Sequence, residues 1–459
     1  MSIRRLALPW LVLVWTLHVA TSVDTEENPP NVLLIVIDTL RADHLSTYGY
    51  ERKTSPNIDR LASEGTVYEN GIAAASWTLP SHASMFTGLF PRDHNTHAEQ
   101  WTLDERFDTL AERLRAGGYR TAGFSNNVWT NEVSGLKQGF DVFEELFHQQ
   151  NARVEGISVD DPEADRGARL TNERVLTWID GRPADDRPFF VFINYFEPHL
   201  PYRPTRPFDQ HFLPEHAKPH VVQRLRSFYS PREYGYILRL PFMDVKPQEL
   251  EILTSLYDAE IAYTDRMLGQ LIQGLRQRGV LDDTVIVITS DHGEHLGENH
   301  MLSHKLSVYE PLLRVPLLLW NPRRLPEPRR IAQPVQNHDL FGSVLELAGV
   351  RHHARTLPLS EPESDTAEAS LTFAQIAYPK PFLETIRKKI PAGDTAPFER
   401  SLLTVRGPRY KLIEGSDGRV ELYDLIDDPL ESNDLSTQKK EVVATMKRYL
   451  EQFRAGKLP

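Results

Sequence analysis

Thr78 stands in the stretch Ser76-Trp77-Thr78-Leu79-Pro80-Ser81-His82-Ala83-Ser84, two residues ahead of a proline suited to the first turn of a helix. Pro80 is expected to open a short helix running through Ala83 and Phe86 toward Gly88, which sets the Thr78 hydroxyl beside free backbone donors at the positive end, a place suited to an anion. The plainer reading is an ordinary helix start. Asp38 closes the apolar run 31–37, and Asp291-His292 follow the run 284–289. Two carboxylates brought to one cleft repel unless a proton or a cation lies between them. Asp38, Asp291 and the Thr78 hydroxyl with His292 offer oxygen and nitrogen ligands to one divalent cation and leave room for a substrate oxygen. Contact with such an ion lowers the pKa of a bound oxygen, so a threonine hydroxyl could attack as an alkoxide.

The elements that must carry these groups are legible as buried strands. Asn31-Val32-Leu33-Leu34-Ile35-Val36-Ile37, Phe189-Phe190-Val191-Phe192-Ile193-Asn194-Tyr195 and Thr284-Val285-Ile286-Val287-Ile288-Thr289 are continuous apolar runs, the pattern of parallel strands covered on both faces. Amphipathic helices fall between them; Leu256 to Arg276 carries Ala259, Ala262, Tyr263, Met267, Leu271 and Leu275 on one stripe. Alternation of this kind predicts a doubly wound α/β domain. Ligands bind beyond the carboxyl ends of such strands, where Asp38, His199 and Asp291 emerge. Arg203 to Gln248 is a proline-, arginine- and aromatic-rich insertion. A helix from Phe341 stops at Gly349, and a polar linker, Arg351 to Ala369, follows. Beyond it, Ser401–Val405, Arg409–Ile413 and Arg419–Tyr423 read as antiparallel strands, with a turn at Gly415–Gly418 and a last helix near Lys440 to Phe453, a small α+β subdomain.

A chain of 459 residues exceeds one ordinary core, so a large domain with a smaller one is expected. The boundaries read as 1–22, 23–355 and 356–459. Residues 1–22 have the pattern of a signal peptide: Arg4 and Arg5, an apolar run from Leu6 to Val19, then Ala20-Thr21-Ser22. That run is shorter than the roughly 20 apolar residues of a membrane span and holds Pro9 and His18, so a secreted or periplasmic protein with no span after cleavage is expected. A formal charge of -12 with no basic block argues against nucleic acid as a partner. The chain has no cysteine, which excludes thiol nucleophiles, thiolate metal sites and disulfides.

The ordered motifs resemble the sulfatase branch of the alkaline phosphatase superfamily. The resemblance runs through Asn31–Asp38, Thr54–Ala62, Pro80–Gly88, Glu197-Pro198-His199-Leu200-Pro201-Tyr202, Thr289-Ser290-Asp291-His292-Gly293-Glu294, Arg409–Ile413 and Glu421–Leu425. It implies an alkaline phosphatase/sulfatase-like doubly wound sheet and a metal-dependent hydrolase of sulfate esters, with calcium by family habit and manganese or zinc if His292 ligates. It implies catalytic roles for Thr78, for His199 toward the ester or leaving group, and for Lys305 on the transferred anion. His82, Asn126 and His304 are candidate substrate-binding residues, and each of these side chains also has a plainer reading in packing, a turn or a solvated surface. The family's modified cysteine is replaced here by Thr78, its motif arginine by His82, and its second metal pair by Asp291-His292, a pairing similar to that of phosphonate monoesterases and phosphotransferases. Formylglycine cannot form from threonine, whereas other superfamily branches use threonine directly on phosphorus.

Counting Asp38, Asp291 and a Thr78 alkoxide against a divalent ion and Lys305 gives a near-neutral site. Such a site favours a singly charged sulfate monoester or phosphodiester, from a small molecule or a glycan, over a dianionic phosphate monoester. The alternatives are a phosphodiester or phosphonate hydrolase or phosphotransferase using Thr78, and a catalytically weak protein that binds sulfated glycans.

Overall fold

Leu33, Ile35 and Ile37 point to one side of their strand and Val32, Leu34 and Val36 to the other, and all six are fully buried. That alternation at period two makes the strand the midline of a three-layer domain. The computed structural model describes residues 28–147, 165–185, 187–226, 246–325, 327–359, 370–389 and 394–458. The signal-peptide reading therefore lies outside the described residues, as do 227–245 of the expected insertion and 360–369 of the expected linker.

In chain order the strands are β1 (Asn31–Ile37), β2 (Thr66–Ile72), β3 (Arg120–Ser125), β4 (Val142–Glu145), β5 (Phe189–Tyr195), β6 (Thr284–Thr289), β7 (His295–Leu296), β8 (Leu302–Ser303), β9 (Arg314–Trp320), β10 (Arg329–Ile331), β11 (Val335–Gln336), β12 (Thr372–Ile376), β13 (Leu402–Arg406), β14 (Tyr410–Gly415) and β15 (Val420–Asp424). The main sheet has nine strands in the order β10-β2-β9-β6-β1-β5-β3-β4, with β11 extending β2. Its centre is parallel: β1 pairs with β5 and β6, and β3 with β5 and β4. The three strands read from the sequence, β1, β5 and β6, are parallel as expected, whereas β9 runs antiparallel to both β6 and β2 and makes the sheet mixed.

Helices cover both faces. Pro56–Glu64, Ala168–Asp180 and Pro247–Gln277 lie on the side of Leu33 and Ile35, whereas Thr78–Thr87, Leu110–Ala116 and Leu340–Leu347 lie on the side of Val32 and Leu34. The Leu256–Arg276 stripe is buried as expected, inside a helix that starts nine residues earlier at Pro247 and takes in Gln248. Part of the expected insertion is thus regular structure, with a further helix at Pro219–Arg226.

The small C-terminal sheet, β12-β13-β14-β15, is antiparallel throughout. It packs Phe373, Val405, Leu412 and Leu422 against Met446, Leu450 and Phe453 of the helix Lys440–Arg454. Strand β12 and the helix Lys380–Lys389 were not legible as elements in the sequence. Buried charges tie this unit to the main one. Lys411 on β14 lies 3.0 Å from Glu310 Oε1 and 2.9 Å from Glu431 Oε1, and Arg406 Nε on β13 lies 3.1 Å from Glu310 Oε2.

Candidate active site

Four neighbouring parallel strands deliver the reactive groups at their carboxyl ends: Asp291 and His292 after β6, Asp38 after β1, His199 after β5, and Asn126-Asn127 after β3. This is the edge of an open α/β sheet where ligands bind. Thr78 comes from the helix Thr78–Thr87, which begins two residues earlier than expected: Trp77 holds the cap position and Pro80 sits third in the helix. The first four amides of a helix lack intrahelical acceptors, so a proline there forfeits nothing. The helix stops at Gly88, whose φ of 69° is left-handed.

Asp38, Asp291 and His292 each offer a ligand atom within 4.8 Å of the others, and all three residues are fully buried. Asp291 Oδ1 accepts from Thr39 N at 3.3 Å and His292 N at 3.0 Å, which leaves Oδ2 without a hydrogen-bond partner, 3.4 Å from His292 Nε2. Asp38 Oδ2 accepts from Asn127 Nδ2, and its Oδ1 has no partner. His292 Nδ1 lies 2.8 Å from the Gly293 carbonyl, which can only accept, so the proton is on Nδ1 and the lone pair is on Nε2. Thr78 Oγ1 is 3.4 Å from that Nε2 and 3.4 Å from Asn127 Nδ2. Two orphaned buried carboxylate oxygens, an imidazole lone pair and a hydroxyl therefore converge, a donor set that fits one divalent cation.

The electrostatics agree with that fit. Burial, then the nearby Asp291 charge, pushes the Asp38 carboxyl up to about 8, and burial pushes Asp291 up to about 7. Burial lowers His292 to about 4, so the ring is neutral and able to ligate. Without a cation, two buried carboxylates in one cleft resist ionisation together.

The other expected residues divide by position. His304 faces the cluster, with its ring centroid 4.4 Å from that of His292 and 5.1 Å from that of His199, and its Nδ1 is 2.8 Å from Glu294 Oε1. His199 is pinned by its Nδ1–H, which donates to the Leu200 carbonyl at 2.6 Å. Its ring stacks on Phe196 at 4.7 Å, and the Arg166 guanidinium covers the same phenyl ring at 4.1 Å. Arg166 also donates to the carbonyls of His199, Leu200 and Pro201, so one cation fixes the loop that carries His199. Lys305 holds a left-handed φ of 87°, and burial lowers its ammonium to about 8.

Two expected substrate contacts are placed differently. His82 lies beneath the cluster: its Nδ1–H donates to the Thr78 carbonyl at 2.9 Å, and its edge meets Phe86 and Phe192. Burial lowers it to about 3, so it braces Thr78 as a neutral ring. Asn126 turns its amide to Thr171 Oγ1 at 2.5 Å and the Asn194 carbonyl at 3.4 Å, and it is Asn127 that reaches Asp38 and Thr78. Arg166 and Glu294 also went unread as site residues. Arg166 stands far from any motif in sequence, while Glu294 is two residues past His292 and could have been followed from it.

The family model described as Sulfatase matches residues 30–350. The chain is 26% identical over 441 residues to the choline-sulfatase of Rhizobium meliloti, covering 89% of this chain and 82% of that protein. It is 28% identical over 358 residues to a multifunctional alkaline phosphatase superfamily protein of Trinickia caryophylli, covering 63% and 68%. The phosphonate monoester hydrolase of Agrobacterium radiobacter shares the fold, with a TM-score of 0.75 at 23% identity over 94% of this chain and 96% of that one. The match across the whole three-layer domain, with the Asp38, Asp291 and His292 cluster at its strand ends, makes this chain a member of the sulfatase family and a hydrolase of the sulfate- or phosphate-ester class.

Proposed function

We propose that this chain is an exported, metal-dependent hydrolase of sulfate esters in which Thr78 is the nucleophile. The observation that carries the reading is the position of Thr78 Oγ1, 3.4 Å from both His292 Nε2 and Asn127 Nδ2 and beside the orphaned oxygens of Asp38 and Asp291. Asp38, Asp291, His292 and Thr78 would hold one divalent cation, which supplies positive charge against the hydroxyl and the ester oxygens. Thr78 Oγ forms a bond to sulfur as the bond from sulfur to the ester oxygen breaks. The hydroxyl proton passes by way of His199 to the departing oxygen, and water then releases sulfate from the threonine. The tautomer fixes which nitrogen of His199 handles the proton. With Nδ1–H spent on Leu200 and burial keeping the ring neutral, His199 Nε2 takes up a proton before it gives one. Lys305 supplies the fixed charge for the ester oxygens.

A phosphodiester or phosphonate substrate is the second reading. Threonine cannot supply the geminal diol used by formylglycine enzymes, and a direct hydroxyl nucleophile suits phosphorus. The test measures turnover of an aryl sulfate, a bis-aryl phosphate and an aryl phosphate at equal concentration by wild type, Thr78→Ser and Thr78→Ala, with bound metal assayed. The singly charged esters should outpace the dianionic one, and Thr78→Ala should lose at least a hundredfold even when excess metal keeps Asp38, Asp291 and His292 loaded. Undiminished turnover by Thr78→Ala removes the nucleophile, and retained metal without turnover on any ester supports a protein that binds sulfated glycans. Mass spectrometry of the exported protein's N-terminus tests cleavage after Ser22.

A further inference from the structure

Trp101, Val128 and Val133 are 51%, 52% and 70% exposed, a grouping of large apolar side chains that hydrolysis at Thr78 does not use. They stand on two loops tied to one another. Thr102 Oγ1 donates to the Val133 carbonyl at 2.9 Å, and Leu103 N donates to the Ser134 carbonyl at 2.9 Å. From this rim a row of rings leads inward. Trp129 meets Trp101 edge to face at 5.5 Å and Trp77 edge to face at 5.5 Å. Trp77 directly precedes Thr78, and the backbone amide of Trp129 donates to Asn127 Oδ1 at 2.8 Å, so both inner rings are fixed by residues of the reactive cluster.

Lys305 marks where the row meets the cluster. Its Nζ lies 5.3 Å from the Trp129 centroid, 5.6 Å from Trp77 and 5.8 Å from Phe382, and among the described residues it makes no hydrogen bond or ion pair. With no donor of its ammonium spent on a hydrogen bond, and with Asp38 and Glu294 acting on it only at longer range, this cation retains its capacity for an anion. The arrangement runs from the reactive hydroxyl, through a positive charge, to flat apolar surfaces that reach solvent. A cationic alcohol would meet the Lys305 charge, and a short alkyl group would leave the outer tryptophans in water.

We propose that the alcohol half of the substrate is a ring with an apolar face, an aryl group or a pyranose, which packs on Trp129 and Trp101 while its ester anion lies between Lys305 and Thr78. The assignment rests on the reading of the Thr78 cluster as the reactive site. Aromatic faces take both ring types, the aryl by stacking and the sugar through its axial C–H bonds.

Binding in a Thr78→Ala background, which leaves the ester intact, tests this independently of turnover. Calorimetry of the full chain at matched metal content compares phenyl sulfate, glucose 6-sulfate and methyl sulfate, with Trp101→Ala, Trp129→Ala and Trp101→Phe added singly. At least one ring ester should bind about tenfold more tightly than methyl sulfate. Trp101→Ala should cut that preference threefold or more with methyl sulfate affinity held within twofold, and Trp101→Phe should restore it. Trp129→Ala should cut the preference by at least as much, read as the ratio of ring ester to methyl sulfate because Trp129 also packs on Lys305. Whichever of phenyl sulfate and glucose 6-sulfate keeps the preference identifies the ring. Equal affinity for the three esters, or a preference that survives both alanine changes, overturns the proposal. A ring preference in a wild type that shows no turnover would instead overturn the hydrolytic reading and leave the aromatic wall in place. Trp101 is half exposed, so its loss removes no core contact on which folding depends.

Discussion

The side-chain amide of Asn127 bridges the two halves of the site, donating to Asp38 Oδ2 and lying 3.4 Å from Thr78 Oγ1. It holds a carboxylate of the cation cluster and the hydroxyl in register. Asn127→Ala should lower kcat at least tenfold, because the hydroxyl loses its lateral donor, whereas Asn126→Ala should act through stability, since that amide bonds Thr171 of a covering helix. Steady-state kinetics and melting temperatures of the two variants separate these outcomes.

The choice between these adjacent asparagines was legible in principle. Phe124 packs on the face that carries the helix Ala168–Asp180, and Asn126, two residues on, keeps that side and meets Thr171. Asn127 therefore takes the opposite side, where the helix Thr78–Thr87 lies. Extending the alternation of β3 past its last residue would have selected it. The three central strands and the gathering of Asp38, Thr78, Asp291 and His292 were readable because doubly buried runs and strand-end acids are local patterns. The reversed direction of β9 was not, because a run buried on both faces carries the same apolar pattern in either direction. The tryptophan row was hidden for a related reason, since it joins residues 77, 101 and 129 through loops with no period to follow.

The identity of the proposed cation turns on His292. Its Nδ1–H is fixed on the Gly293 carbonyl, so Nε2 is available as a ligand, and imidazole favours manganese or zinc over calcium. Wild type stripped with a chelator should regain activity more tightly with manganese or zinc than with calcium, and His292→Asn, which presents an oxygen, should move the preference toward calcium. Metal titrations followed by activity and by melting temperature check the order. Saturation at about a hundred times the dissociation constant should restore about 2.7 kcal/mol of stability.

The joint between the two units depends on Glu310. Burial alone would lift this carboxyl, but Arg406 and Lys411 more than offset it and hold it at about 2, below its ordinary 4.5. A carboxyl depressed in the folded state contributes stability above its unfolded pKa, and that contribution fades as pH falls from about 4.5 toward about 2. Wild type should lose more melting temperature across that window than Glu310→Gln does. Lys411→Met, which leaves Glu310 and Glu431 buried with one cation fewer, should cost about 3–5 kcal/mol at neutral pH. Calorimetric melts at several pH values decide both outcomes.

Lys305 gives the site an alkaline limit. Burial pulls its ammonium down to about 8, while the charges of Asp38 and Glu294 pull the other way. An ammonium binds the ester anion only while protonated, so anion affinity should fall as pH rises through about 8. A cation bound at Asp38 cancels part of the upward pull, so in the loaded enzyme the fall should begin at or below that value rather than above it. Inhibition constants for inorganic sulfate from about pH 6 to about pH 10 trace this limb. Lys305→Arg keeps its charge throughout the range and should flatten the limb, whereas Lys305→Met should bind sulfate weakly at every pH. A wild-type limb that persists unchanged in Lys305→Arg would assign the titration to another group and remove Lys305 as the anion's partner.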